Sequence, residues 1–132
     1  MTYRADFELR DQHLFATVGG PRTIESITSI SREVVNECRR NGVSKVFIDL
    51  RQLTGRLEIT DSLSVVERIF PAIESFRELE KVAVLEQKER FERSRFFERV
   101  AQSKGYNIRM FEDPDEATTW LTVTEQPAPE TR

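Results

Sequence analysis

The sequence holds one cysteine, Cys38, and one histidine, His13. A lone cysteine closes no internal disulfide, so nothing in the chain is adapted to an oxidising compartment. One histidine beside one cysteine supplies neither a usual zinc ligand set nor the paired groups of a catalytic triad. No apolar run approaches the roughly 20 residues that span a bilayer. The opening Met1-Thr2-Tyr3-Arg4-Ala5-Asp6 lacks the apolar core of a signal peptide. These absences predict a cytoplasmic protein with no stable membrane insertion. A basic excess is missing too: the net charge is −3, which argues against a dedicated nucleic-acid binder. Gly19-Gly20-Pro21 has neither the spacing nor the lysine of a phosphate loop. No metal site and no cofactor is expected.

What remains is an ordinary globular balance. Of the 132 residues, 33% are charged and 38% hydrophobic, which suits one domain. A chain of this size buries roughly two thirds of its unfolded surface. Residues 1–122 are expected to form that domain and residues 123–132, with Gln126-Pro127-Ala128-Pro129, a disordered tail.

The periodicity predicts the element order ββαβαβαβα. Tyr3, Ala5, Phe7 and Leu9 alternate with charged residues, the mark of a strand with one wet face. Asp11-Gln12 turns the chain into a second strand over 13–18, which Gly19-Gly20-Pro21 ends. Thr23 caps a helix with the stripe Ile24, Ile27, Ile30, Val34 and Cys38, closed by Gly42. A third strand over 43–50 contains Val46-Phe47-Ile48, a continuous apolar run of the kind covered on both faces. Residues 51–59 read as a polar loop. A second helix starts near Thr60-Asp61, and Pro71 kinks or divides it. Residues 81–85 are a buried strand, 88–104 a third helix, and 106–111 a more polar strand nearer an edge. Asp113 caps the last helix, with Pro114 at its first position and Glu116 placed for a capping box. Crossovers of this kind need parallel neighbours, so the expected fold is α/β. It has a mixed five-stranded sheet, an antiparallel strand at its start and helices packed against it.

The order and spacing of several phrases resemble the STAS-like proteins, and within them the SpoIIAA-like group. The phrases are Val46-Phe47-Ile48-Asp49-Leu50-Arg51 with Leu53-Thr54-Gly55, Lys81-Val82-Ala83-Val84, and the run from Gly105 through Asp113 into Glu116-Ala117-Thr118-Thr119-Trp120-Leu121. The resemblance covers nearly everything except the tail. It implies a non-enzymatic module of the anti-sigma-factor-antagonist kind, acting through a protein partner. In those antagonists a serine at the start of the second helix, in a motif similar to Asp-Ser-Ser-Gly, is phosphorylated. The matching stretch here is Asp61-Ser62-Leu63-Ser64, which lacks the glycine. The SpoIIAA-like group also resembles lipid-carrying Sec14-type folds, which implies an apolar-ligand role as the alternative.

The residues offer three sites. The first is the stretch 49–62, which leaves the carboxyl end of a central strand and feeds a helix. Asp49, Arg51, Thr54, Gly55, Arg56, Thr60 and Asp61 form its candidate partner- or anion-binding surface, with Ser62 as candidate phospho-acceptor. Caps are common enough that Thr60 or Asp61 as a plain helix cap competes with this reading. The second site is an apolar-ligand lining at Phe70, Phe76 and Phe97, between the sheet and the second or third helix. The third pairs Asp49 with Glu86 at adjacent strand ends, where two carboxylates can share acid–base work. Ion pairs with Arg51 and Lys88 explain them equally. In the third helix Glu89 with Arg93, and Glu92 with Arg95, stand at salt-bridge spacing on a solvated face. His13 is expected at the surface, Cys38 in the core, and Trp120 as the anchor of the last helix. Taken together, the residues read as a regulatory protein-interaction module, with a homodimer possible. The runner-up is a carrier or sensor of a small apolar molecule.

Overall fold

The computed structural model describes residues 2–123. Apart from Val123, the expected tail lies outside the described residues. The strands are β1 (Arg4–Arg10), β2 (His13–Pro21), β3 (Lys45–Thr54), β4 (Lys81–Leu85) and β5 (Ile108–Phe111). The helices are α1 (Ile24–Asn41), α2 (Ile59–Ser64), α3 (Phe70–Ala72), α4 (Phe91–Ser103) and α5 (Pro114–Thr122). The sheet order is β1-β2-β3-β4-β5; β1 and β2 are antiparallel and every later pair is parallel. The expected fold class and order of elements are therefore observed.

Alternation along the strands divides the interior into two cores. Val46, Val82, Val84, Ile108 and Met110 point to the larger one, together with the buried faces of α1, α3 and α4. Phe47, Ala83, Leu85 and Phe111 point the opposite way, onto Ala117 and Leu121 of α5. Trp120 packs on Phe111 at 5.7 Å between ring centroids, and the buried Lys81 ammonium donates to the Trp120 carbonyl at 2.8 Å. The last helix is thus held at its C-terminal end, where a cation is favoured.

Helix ends follow the local chemistry. Thr23 and Ser26 form a reciprocal capping box, and Gly42 closes α1 in the left-handed conformation at φ 68°. At α5 the Asp113 carboxylate accepts from the Asp115 N–H, so the cap is made without the expected box to Glu116. The second helix is interrupted as Pro71 demands: Val65–Ile69 is a π turn, closed by the Phe70 N–H on the Val65 carbonyl.

Two features differ from the sequence reading. Strand β2 continues through Gly19-Gly20-Pro21 and carries β3 on to Thr54, pairing Gly19 with Gln52 and Gly20 with Leu53. These glycines make room rather than a break. A Cβ on Gly20, at φ 110°, would lie 3.0 Å from the Tyr3 Cα. The register shifts between Thr17 and Gly19, so β3 bulges around Leu50 and Arg51. His13 is the second correction. Its side chain is buried at 5% exposure at the start of β2, two residues after the positive-φ turn residue Asp11 (φ 51°).

Candidate functional site: a pocket beneath the helices

The larger core is not filled. A pocket of about 570 Å³ opens between the sheet and the helices α1, α2, α3 and α4. Sites for small molecules commonly fall within roughly 300–1,000 Å³. Ile48 and Leu50 belong to the central strand β3, yet both stay half-buried because the pocket lies over them. Ile27 and Ser31 of α1 are half-buried on its wall for the same reason. The expected apolar lining is brought together: Phe70 stacks on Phe76 at 4.1 Å and meets Phe97 edge-on at 6.2 Å, and all three line the pocket.

The other end is polar. Arg22, just before the α1 cap, reaches Glu86 just beyond β4, crossing the end of β3. Its two terminal nitrogens meet the two carboxylate oxygens at 2.9 and 3.1 Å. The side chains are 11% and 1% exposed, and the Gln87 N–H donates to the same carboxylate at 3.0 Å. A bidentate pair with an added N–H is what a buried carboxylate requires. The Arg22 Nε–H is buried without an acceptor.

Arg56 and Leu57 stand at the pocket mouth, and the chain from Arg51 to Leu57 is tied down by its neighbours. Gln87 Nε2 donates to the Arg51 carbonyl at 2.6 Å, Arg90 to the Gly55 carbonyl, and Arg93 to the Leu57 carbonyl at 3.2 Å. Arg93 is thereby turned away from Glu89, and Arg95 pairs with Glu98 instead of Glu92, at 3.6 Å. The expected solvated ion-pair ladder is replaced by a clasp onto the loop. Phe96 and Phe97 both line the pocket.

The other residues that the sequence singled out divide between the two faces of the sheet. Asp49 sits on the Phe47 face and Glu86 on the pocket face, as their neighbours Ile48, Leu50 and Leu85 require. The two carboxylates do not converge, so the acid–base reading loses its geometry. Asp49 accepts from the Arg51 N–H, Nε and Nη2 at 2.9–3.0 Å, and this bonding raises the Arg51 pKa. Glu86 takes Arg22, not Lys88. Thr54 Oγ1 donates to the Gly20 carbonyl at 3.3 Å, and Gly55 turns the loop at φ 77°. Arg56 stands exposed at the rim. Helix α2 begins with Glu58 as its cap residue and no side-chain cap bond, so neither Thr60 nor Asp61 caps it. Thr60 is exposed, and Ser62 is half-buried on the pocket wall.

Of the titrating groups displaced from their ordinary values, Cys38 lies in the core, where burial and then Glu37 push its thiol up to about 11. It stays protonated and unreactive. His13 is displaced downward by burial and is not among the residues that line the pocket.

Nothing in the local sequence announced the Arg22–Glu86 pair, since its partners are 64 residues apart. The one usable signal was a lone arginine directly before a strong helix cap.

The fold is STAS/SpoIIAA-like. The chain is similar to the crystal structure of an anti-sigma factor antagonist from Mycobacterium paratuberculosis, at 13% identity and TM-score 0.58. That match covers 91% of this chain and 94% of the other. It is also similar to an uncharacterized protein of the DUF3478 family with a SpoIIAA-like fold, from Shewanella loihica PV-4. There the identity is 25% and the TM-score 0.52, over 90% of this chain and 93% of that one. No protein-family profile matches the sequence, and no curated protein does. Among the described residues, no helix is long and apolar enough to cross a membrane.

Proposed function

We propose that this chain is a non-enzymatic regulatory domain that responds to a small apolar molecule held beneath its helices. The observation that carries the reading is the pocket of about 570 Å³ over Ile48 and Leu50. A close-packed protein leaves few voids larger than a water molecule. An apolar space of this size gains free energy when an apolar occupant displaces water from it.

The pocket also touches the surface that the sequence singled out. Leu57, Ile59 and Ser62 line it from one side, while Thr54, Arg56 and Thr60 lie exposed on the same stretch. An occupant that presses on Leu57 works against the Arg90 and Arg93 bonds to the Gly55 and Leu57 carbonyls. Loop position then reports occupancy, and a protein partner reads the loop. The regulatory half of this reading follows by fold analogy from the anti-sigma factor antagonist. A phosphate on Ser62 would enter the pocket wall and compete with an apolar occupant, which makes Ser62 a second control point at the same place.

Native mass spectrometry on protein isolated gently from its own host tests the proposal. The expected result is a chain carrying a small molecule, with a second polypeptide whose retention depends on that molecule. A partner retained equally with and without the small molecule would overturn the ligand-responsive part. A chain that never carries one and refuses every apolar probe would overturn the pocket.

A further inference from the structure

We infer that the pocket selects an amphipathic ligand with a carboxylate head, held at the Arg22 end while its apolar body lies toward Phe70 and Phe76. The inference rests on the ligand-binding reading above and adds the chemistry of the head.

The pocket has a direction. Glu86 follows the last residue of β4 and Val82 is near its first, and both line the pocket. At about 3.3 Å per strand residue they stand roughly 13 Å apart, the reach of an extended chain of about ten carbons. At the Val82 end the lining is apolar, with Phe76, Leu79 and Ile108. At the Glu86 end it is charged.

That charged end is short of acceptors where it is dry. Glu86 has both oxygens engaged by Arg22 and the Gln87 N–H. The Arg22 Nε–H is left buried and unbonded, and a buried donor without an acceptor is costly. Arg22 lines the pocket, so a small turn of its side chain would present this covered N–H to a ligand oxygen. The charge balance favours an anionic oxygen over a neutral one. Arg90 and Arg93 are half-buried at the mouth, and their hydrogen bonds go to neutral carbonyls. Glu89 and Glu92, the other lining carboxylates, are exposed to water. Water screens them, so the drier part of the mouth presents net positive potential. Guanidinium groups also match carboxylates in shape better than they match hydroxyls.

Calorimetric titration of the intact chain with decanoate, 1-decanol and decylammonium tests this. The three probes share one apolar body and differ only in the head. Decanoate should bind at least about tenfold tighter than 1-decanol, and decylammonium weaker than either. Arg22→Lys keeps a cation for Glu86 but removes the Nε–H. It should bring decanoate to within about threefold of 1-decanol. Should that variant fold poorly, the paired change Arg22→Met with Glu86→Met removes both charges together. It should bind decanoate no more tightly than 1-decanol. Equal binding of all three probes, or a carboxylate preference that survives both variants, would overturn the head assignment and leave the pocket standing. Failure of all three probes to bind would overturn the pocket reading itself.

Discussion

Replacing Arg22 with methionine should destabilise the fold far more than its place on a turn suggests. The reason lies in its partner. Glu86 is 1% exposed and draws two of its contacts from the Arg22 guanidinium, leaving only the Gln87 N–H when that group is removed. Breaking a buried pair from one side typically costs about 3–5 kcal/mol, because a charge is left without compensation in a dry site. For a domain of this size, 1 kcal/mol moves the midpoint by roughly 4 °C, so Arg22→Met should lower it by about 12–20 °C. Changing Glu86→Met in the same chain should return most of the loss, since two packed apolar side chains replace the pair. Calorimetry or urea titration at pH 7 on the single and double variants gives the coupling directly. A loss below about 1 kcal/mol for Arg22→Met would refute the reasoning, since surface pairs are worth that little. A double variant no better than the single would refute it equally.

Other outcomes follow from the same structure. Burial lowers the folded-state pKa of His13 below its ordinary 6.5, so the unfolded chain takes the proton first. Stability should fall as the pH drops through that value and level off below the folded pKa; the difference in urea midpoint between wild type and His13→Gln, followed from pH 8 to 5, isolates the effect. Gly20→Ala should cost about 1–3 kcal/mol in a thermal melt, because φ is 110° and the new Cβ would stand 3.0 Å from the Tyr3 backbone. Arg90→Ala with Arg93→Ala removes two ties on the mouth. Hydrogen exchange over residues 54–60 should accelerate while the β4 amides keep their protection.

Much of the architecture was legible because each element announces itself locally. Alternation in β1, the apolar run at Val46-Phe47-Ile48, the Thr23 cap and the Asp113-Pro114 start are all short-range signals, and each led to the right element. The misreadings arose where distant residues decide. Gly19-Gly20-Pro21 looks like a strand end, but Tyr3 and Gln52 pack close on either side of the glycines and the strand runs on. His13 is polar and next to a turn, yet it is buried, and what covers it lies outside its own stretch of sequence. Arg93 has the spacing to pair with Glu89, but the Leu57 carbonyl lies within reach. Phe70, Phe76 and Phe97 do line one pocket. That the pocket would stay open was not legible, because an unfilled core depends on how far the helices stand off the sheet. For the same reason Ile48 read as fully covered and is half-buried.

The measurement that tests the central claim most directly is a methyl-resolved NMR titration of the intact chain with 1-decanol. Saturable shifts are expected at the Ile27, Ile30 and Ile48 methyls, which line the pocket. Those shifts should be lost in Ser31→Phe, which places a ring in the space. Shifts confined to Leu9 or other surface methyls, or shifts unchanged by Ser31→Phe, would contradict a ligand site beneath the helices.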